Sequence, residues 1–257
     1  MSNPVRQFYD QIANDYQLIF ADWKQAVERQ GEILDAFIRA QLSKDGQLSL
    51  LDCSCGIGTQ AIGLAQRNYT VHATDISPNS VEQARRNAEE FGVELTFAVA
   101  DFRILAKSVD GAFDIVISCD NALPHLLTDD DLLIAAQNMH TKLNPGGLLL
   151  VSIRDYDQMV KIKPKSDPIR VFGVGKDRRI TFQVWDWEEN APIYTVSHFI
   201  LTQENGEWQT AQRQTQYRAL QRGELIAILE NAGFADINWH MPADSGYYQP
   251  VVTAHRR

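Results

Sequence analysis

Ten residues constrain this chain more than any others. Leu50-Leu51-Asp52-Cys53-Ser54-Cys55-Gly56-Ile57-Gly58-Thr59 runs from an apolar segment into an acid, passes two close glycines and opens into a helical pattern. It reads as a strand, a tight turn and a helix start. Glycine has no Cβ, so its backbone takes positive φ easily and comes close to a bound molecule. A helix starting at Thr59 directs unpaired N–H groups and a partial positive charge at the same place. The turn suits a nucleotide-like ligand, although a bare strand-to-helix connection also accounts for it. Gly56-x-Gly58-x-x-Ala61 satisfies the loose dinucleotide pattern as well, so ligand classes must be separated on other residues.

Around this turn the chain alternates between strand and helix patterns. Strands are expected at 48–53, 69–75, 95–100, 113–119 and 148–154. Helices are expected at 60–67, from Ser77-Pro78 to about residue 90, and after Thr128, whose hydroxyl caps a first turn carrying Asp129, Asp130 and Asp131. Asn144-Pro145-Gly146-Gly147 is read as the stop of that last helix. Such alternation demands a parallel sheet with right-handed crossovers, so residues 48–154 are expected to be doubly wound. After Pro168 the period changes. Segments 169–173, 180–186, 193–203 and 208–219 are β-rich, and Asn205-Gly206 is a strong hairpin signal. A helix at 223–231 and strands at 237–240 and 251–254 close the chain.

The expected fold is therefore α/β: a doubly wound, Rossmann-like, seven-stranded, mostly parallel sheet with an antiparallel β insertion between strand 5 and the last helix. Residues 1–45 read as N-terminal helices, at 4–13 and 25–42, joined by the aromatic stretch Tyr16-Gln17-Leu18-Ile19-Phe20-Ala21-Asp22-Trp23. That stretch is either a staple packing the helices onto the core or a lid over the glycine turn. Residues 46–160 are the ligand-binding core, 161–220 an insertion forming part of the substrate site, and 221–257 the remainder of the core.

A formal net charge of −9 argues against a broad phosphate-binding surface, because nucleic-acid affinity rests on clustered Lys and Arg. The expected partner is a small molecule. No apolar run approaches the ~20 residues that cross a bilayer, and Met1-Ser2-Asn3-Pro4-Val5-Arg6 has no apolar signal segment, so a soluble cytoplasmic protein is expected. Cys53, Cys55 and Cys119 do not have zinc-ligand spacing and read as reduced packing residues, with no metal site.

Acids mark the ligand edge. Asp52 ends the first strand, Asp75 the second, and Asp101 follows the third. Asp75 is placed to accept ribose hydroxyls, a role shared by NAD and S-adenosylmethionine sites. Asp52 separates the two, since a carboxylate beside a pyrophosphate is repelled, whereas S-adenosylmethionine brings an ammonium and a sulfonium. Asp101-Phe102 adds an acid and a ring for an adenine.

These residues resemble the class I S-adenosylmethionine-dependent methyltransferases. Residues 51–59 look like the first motif, and Asp75, Ala100-Asp101-Phe102, Phe113-Asp114-Ile115-Val116 and Leu143-Asn144-Pro145-Gly146-Gly147 resemble the later motifs in order. A narrower similarity, to glycine and glycine/sarcosine N-methyltransferases, lies in Tyr9-Asp10-Gln11-Ile12-Ala13-Asn14-Asp15-Tyr16, Asp22-Trp23 with Arg29-Gln30, Cys119-Asp120-Asn121-Ala122-Leu123-Pro124-His125-Leu126, Ile153-Arg154-Asp155-Tyr156-Asp157 and Gln183-Val184-Trp185-Asp186-Trp187. Those enzymes methylate the amino group of a small amino acid. The resemblance implies S-adenosyl-L-methionine as cofactor, with Tyr9, Arg29 and His125 closing over it, Arg154 holding the substrate carboxylate and Asn121 beside the amine. The expected cofactor contacts are completed by Tyr16, Trp23, Asp52, Ser54, Gly56, Gly58, Asp75, Ile76, Asp101, Phe102 and Cys119.

The residues themselves leave alternatives. Arg154, at the end of an apolar strand, suits bidentate capture of a carboxylate but equally a salt bridge to Asp155 or Asp157. His125 is either a cofactor contact or a neutral core histidine, and Asn121 either a substrate ligand or a turn cap. Arg170, Val171 and Phe172 are candidates for the rest of the substrate site, and Tyr194 or Tyr217 for a pocket-facing ring. No general base stands out, so in-line displacement by an uncharged amine is the expected mechanism. Methylation of another small acceptor, NAD-dependent oxidation and a catalytically silent nucleoside-binding regulator are the competing readings.

Overall fold

Apolar segments flanked by amphipathic helices form repeated strand–helix units in the computed structural model, which describes residues 3–42, 44, 46–204 and 206–257. Two helices come first, α1 (Pro4–Ile12) and α2 (Trp23–Gln41). The core runs β1 (Leu48–Asp52), α3 (Thr59–Ala65), β2 (Tyr69–Asp75), α4 (Pro78–Phe91), β3 (Thr96–Val99), α5 (Leu105–Ser108), β4 (Phe113–Ser118), α6 (Asp129–Thr141), β5 (Leu143–Ser152) and α7 (Tyr156–Ile162). Then come β6 (Arg170–Phe172), β7 (Arg179–Trp187), β8 (Ile193–Glu204), β9 (Glu207–Arg218), α8 (Arg222–Asn231), β10 (Phe234–His240), α9 (Pro242–Ser245) and β11 (Val251–Arg256).

Seven strands join in the order β10-β11-β5-β4-β1-β2-β3. Strands β1 to β5 are mutually parallel, and β11 runs antiparallel to both β5 and β10. The mostly parallel sheet expected from the alternation is present. Its central strands carry near-continuous apolar runs, Ile115 to Ile117 in β4 and Leu148 to Val151 in β5, because both faces are covered. The order reverses between β1 and β4, the position where open α/β sheets bind ligands beyond their carboxyl ends.

The antiparallel insertion is also present, as a separate sheet in the order β6-β7-β8-β9. Of the expected Asn205-Gly206 hairpin turn, Asn205 lies outside the described residues; Gly206 has φ +85°. Two boundaries differ from expectation for one reason. Phe113 pairs with Leu143 but Ile115 with Leu148, so 144–147 bulge out of β5, with Gly146 at φ +73°, rather than ending a helix before it. Strand β10 likewise starts earlier than expected, at Phe234, and absorbs an irregularity at Asp236, φ +51°.

Helices α2 and α3 cross at Gly31 and Gly63. A Cβ on Gly63 would stand 2.5 Å from the Val27 carbonyl oxygen, so the crossing needs both glycines. Helix α1 packs across α4 and β9, tying the core to the insertion. Phe8 and Ile12 bury against Ile200, and the Asp10 carboxylate accepts the Ser77 hydroxyl at 2.7 Å.

Candidate active site

A cavity of about 770 Å³ opens at the carboxyl ends of β1, β2, β3 and β4. Ser54, Cys55 and Gly56 from the turn after β1 form its floor, and Asp75 and Ile76 lie at one side with Asp101 and Phe102. Cys119, Asp120 and His125 follow β4 on the other. Helix α1 roofs it through Val5 and Tyr9, and the insertion supplies Thr195 and residues 214–216 as a far wall.

Of the expected cofactor contacts, Tyr9, Tyr16, Ser54, Gly56, Asp75, Ile76, Asp101, Phe102, Cys119 and His125 border this cavity. Gly56 has φ +52°, and a Cβ built there meets nothing within 4 Å, so the turn leaves a cradle. The Asp75 carboxylate accepts the Gly56 and Ser77 N–H groups, each at 2.9 Å. Burial pushes its pKa up to about 6 against those bonds. Each oxygen retains a lone pair for a ribose hydroxyl. Asp101 lines the cavity while gripping Arg103, which also pairs with Asp131 at 2.9 Å.

Four expected contacts stand elsewhere. Trp23 is buried, donating its indole N–H to Thr59 Oγ1 at 2.9 Å and packing edge-on to Phe91, so it staples α2 to α3. Arg29 is exposed, because α2 turns Val27, Gln30, Gly31 and Leu34 inward and places position 29 outside. Gly58 is not a cradle: its φ of +95° starts α3, and a Cβ would strike Ile62 at 2.9 Å. Asp52 lies beneath the turn, 1 % exposed. Its Oδ1 accepts the Ser54 N–H at 3.2 Å, and its Oδ2 is buried without a partner among the described residues. Burial lifts its pKa to about 8.

His125 borders the cavity and is also bonded to backbone. Its Nδ1 donates to the Gln216 carbonyl oxygen at 3.2 Å, so Nε2 accepts the Tyr9 hydroxyl at 2.9 Å. Burial lowers its pKa to about 3, which keeps the ring neutral. A neutral histidine bonded to backbone thereby anchors the roof of the cavity.

Asn121 and Arg154 occupy a buried polar box beside the cavity and are not part of its lining. Asp120 and Asn121 both adopt left-handed backbone, φ +58° and +70°, at the turn after β4. Asn121 Oδ1 accepts the Arg154 backbone N–H at 3.1 Å and the Tyr156 hydroxyl at 3.0 Å, which fills its acceptor capacity. The oxygen is therefore not open to a substrate amine, whereas Nδ2 is buried without a partner. The Arg154 guanidinium donates to the Tyr194 hydroxyl at 2.9 Å and to Gln183 Oε1 at 3.0 Å. It faces the rings of Trp185 and Tyr217 at 5.1 and 5.4 Å. The expected alternative, a salt bridge to Asp155 or Asp157, is absent: both acids pair with Arg222 instead, at 3.5 and 2.9 Å. Arg170, Val171 and Phe172 form the outer strand β6 and do not border the cavity.

Several residues sit within the resembling segments but are not among the expected site residues. Asp120 lines the cavity with its Oδ1 accepting the Tyr247 and Tyr248 hydroxyls and its Oδ2 accepting from Gln60 Nε2. Tyr247 lies 127 residues downstream, so no local pattern links the two. Tyr156 and Gln183, which frame Arg154, were hidden among ordinary core positions.

Residues 50–147 match the family described as "Methyltransferase domain". A glycine/sarcosine N-methyltransferase from Parasynechococcus marenigrum (strain WH8102) is 34 % identical over 140 residues, covering 54 % of this chain and 48 % of that protein. The chain thus spans about half the length of such curated relatives. Among solved structures, an S-adenosylmethionine-dependent methyltransferase from Clostridium acetobutylicum superposes with TM-score 0.74 at 15 % identity, covering 96 % of this chain and 97 % of that one. An amino pentose methyltransferase from Micromonospora echinaspora, solved with S-adenosylmethionine bound, gives TM-score 0.71 at 17 % identity over 90 % and 92 %. The cradle at Gly56, the ribose-competent Asp75 and the cavity over the β1/β4 reversal fit that cofactor. Residues 50–147 thus match a methyltransferase domain, and the fold is that of the class I S-adenosylmethionine-dependent methyltransferases.

Proposed function

We propose that this chain transfers a methyl group from S-adenosylmethionine to the amine of a small amino acid such as glycine or sarcosine. The observation that carries the acceptor is Arg154: a guanidinium held by neutral and aromatic groups, with no carboxylate paired to it among the described residues. A partly buried cation without an anion is costly, and an acceptor carboxylate bound by two parallel hydrogen bonds supplies the missing charge. The curated relatives that act on glycine and sarcosine support the same reading.

When bound, the cofactor supplies a methyl group on a sulfonium, already activated for displacement. The chain's task is then alignment and exclusion of water. Arg154 fixes the acceptor's carboxylate; Asn121, through its Arg154 and Tyr156 bonds, positions that arginine and offers Nδ2 to the acceptor. Asp75 takes the ribose hydroxyls, with Asp101 and Phe102 around the adenine. Tyr9, locked to neutral His125, closes the roof, so α1 is the lid while Trp23 is the staple. Holding two reactants in line is worth effective molarities of roughly 10⁵–10⁸ M, and no general base is needed when the amine arrives unprotonated.

A larger amine is the second reading. The wall formed by Thr195, Gln214, Thr215 and Gln216 offers neutral hydrogen-bond partners suited to hydroxyl groups, as on an amino sugar. A methyl-transfer screen over amino acids, simple amines and amino sugars tests both. Turnover confined to carboxylate-bearing amines supports the first; turnover only with acceptors lacking a carboxylate refutes it.

A further inference from the structure

Among the described charged residues that line the cavity and have no role above, Asp120 has no charged partner, whereas Arg103 and Asp131 pair with each other. The Asp120 carboxylate sits at the turn after β4, on left-handed backbone at φ +58°, which aims it back over the sheet end. Three neutral donors hold it: the Tyr247 hydroxyl at 2.6 Å, the Tyr248 hydroxyl at 2.7 Å and Gln60 Nε2 at 2.8 Å. Donors of this kind orient the carboxylate, and they do not balance its charge. No Lys, Arg or His among the described residues forms an ion pair with it. Arg103, the cation that shares the cavity lining, is spent on Asp101 and Asp131. The cavity is thus built to receive positive charge at Asp120.

Strand order says which positive charge. Asp75 ends β2, β1 lies between, and Asp120 follows β4, so the two acids stand about two strand spacings apart, roughly 10 Å. A nucleoside held at Asp75, with its ring toward Phe102, extends its tail across the turn after β1 toward β4. Resting on the proposed methyl-transfer function, we infer that Asp120 is the counter-ion for the α-ammonium group at the methionyl end of the cofactor. Asp120 then sets the depth of that arm, and with it the place of the methyl group relative to Arg154.

S-Adenosylhomocysteine keeps the ammonium and lacks the sulfonium, and 5′-methylthioadenosine lacks both, so the pair isolates the contact. Calorimetric titration of both into wild type and Asp120→Asn is expected to show S-adenosylhomocysteine weakened about ten- to a hundred-fold by the substitution, with 5′-methylthioadenosine unchanged. Deaminated S-adenosylhomocysteine should lose a similar factor on wild type and little further on the variant, as a double-mutant cycle requires of groups in contact. The wild-type arm stands even where the variant fails to fold: equal affinity for the deaminated and intact compounds overturns the assignment. Equal weakening of both nucleosides by Asp120→Asn, or unchanged S-adenosylhomocysteine affinity, overturns it as well; in the latter case a raised acceptor KM would transfer the role to the acceptor's ammonium. Wild-type protein that binds neither nucleoside refutes the methyl-transfer reading itself, and this inference with it.

Discussion

Replacing Arg154 separates substrate recognition from architecture. Its guanidinium makes two hydrogen bonds to neutral partners, Tyr194 and Gln183, and no ion pair among the described residues. Removing its charge in Arg154→Gln therefore strands no buried anion. The folding loss comes from those two bonds, about 1 kcal/mol each, and from the ring contacts to Trp185 and Tyr217, about 0.5–1 kcal/mol each, and a domain of this size loses roughly 2–4 °C in Tm per kcal/mol. The acceptor loses more selectively. One charge-assisted contact to a carboxylate is worth about 1.5–3 kcal/mol, a factor of roughly 10 to 150 at 1.36 kcal/mol per decade. The expected result is a KM for glycine or sarcosine raised by that factor, with S-adenosylhomocysteine affinity within about twofold of wild type. A methyl-transfer assay with labelled cofactor, run beside calorimetry, measures both. An amine without a carboxylate supplies the control, because its weaker turnover should not change further. An unchanged KM in a folded variant, or an equal loss for the carboxylate-free amine, would refute the reasoning.

Asp75→Ala should weaken S-adenosylhomocysteine at least tenfold by titration and also lower Tm, since the Gly56 and Ser77 N–H groups lose their acceptor. Asp52 has a folded pKa raised to about 8 from an ordinary carboxylate's 3.8, so the fold favours its protonated form, and the cofactor-free protein loses stability from this group as pH rises between those values. Asp52→Asn should accordingly raise Tm relative to wild type at pH 8.5 and lose that advantage near pH 4 in scanning calorimetry. Tyr9→Phe leaves His125 Nε2 without its donor and should cost about 1–3 kcal/mol, read as a lowered urea midpoint. Gly63→Ala places a methyl against the Val27 carbonyl and should destabilise by about 1–3 kcal/mol, visible as a lower Tm.

The strands and the floor of the cavity were legible because their signals are local. An apolar run ending in an acid is a statement about consecutive residues, and Gly56, Asp75 and Phe102, which follow three such runs, all border the cavity. Arg29 and Trp23 stand away from the cavity because helix α2 decides by its phase which residues point inward, and motif spacing carries no phase. Gly58 lies outside the cavity lining, and the sequence does not separate a glycine required by its φ and a neighbour from one that cradles a ligand. Asp120 was missed since its three partners come from α3 and from the segment before β11, a convergence visible only after the sheet closes.

The corrected place of Asp52 changes what that acid does without removing it from the site. A carboxylate beneath the turn, bonded to the Ser54 N–H and lacking a partner on Oδ2 among the described residues, does not itself line the cavity. Its field still reaches the ligand, because a buried charge is poorly screened. Its high pKa means that the charge is largely absent at neutral pH when the cavity is empty, and a cationic ligand arriving nearby favours ionisation. Cofactor binding should therefore release protons near pH 7, through Asp52 and, to a smaller extent, through Asp75 with its pKa of about 6. The acid that distinguished a sulfonium ligand from a pyrophosphate in the sequence acts through linkage rather than contact, and titrating S-adenosylmethionine in buffers of different ionisation enthalpy measures it: an apparent enthalpy independent of the buffer would remove Asp52 from the electrostatics of the site.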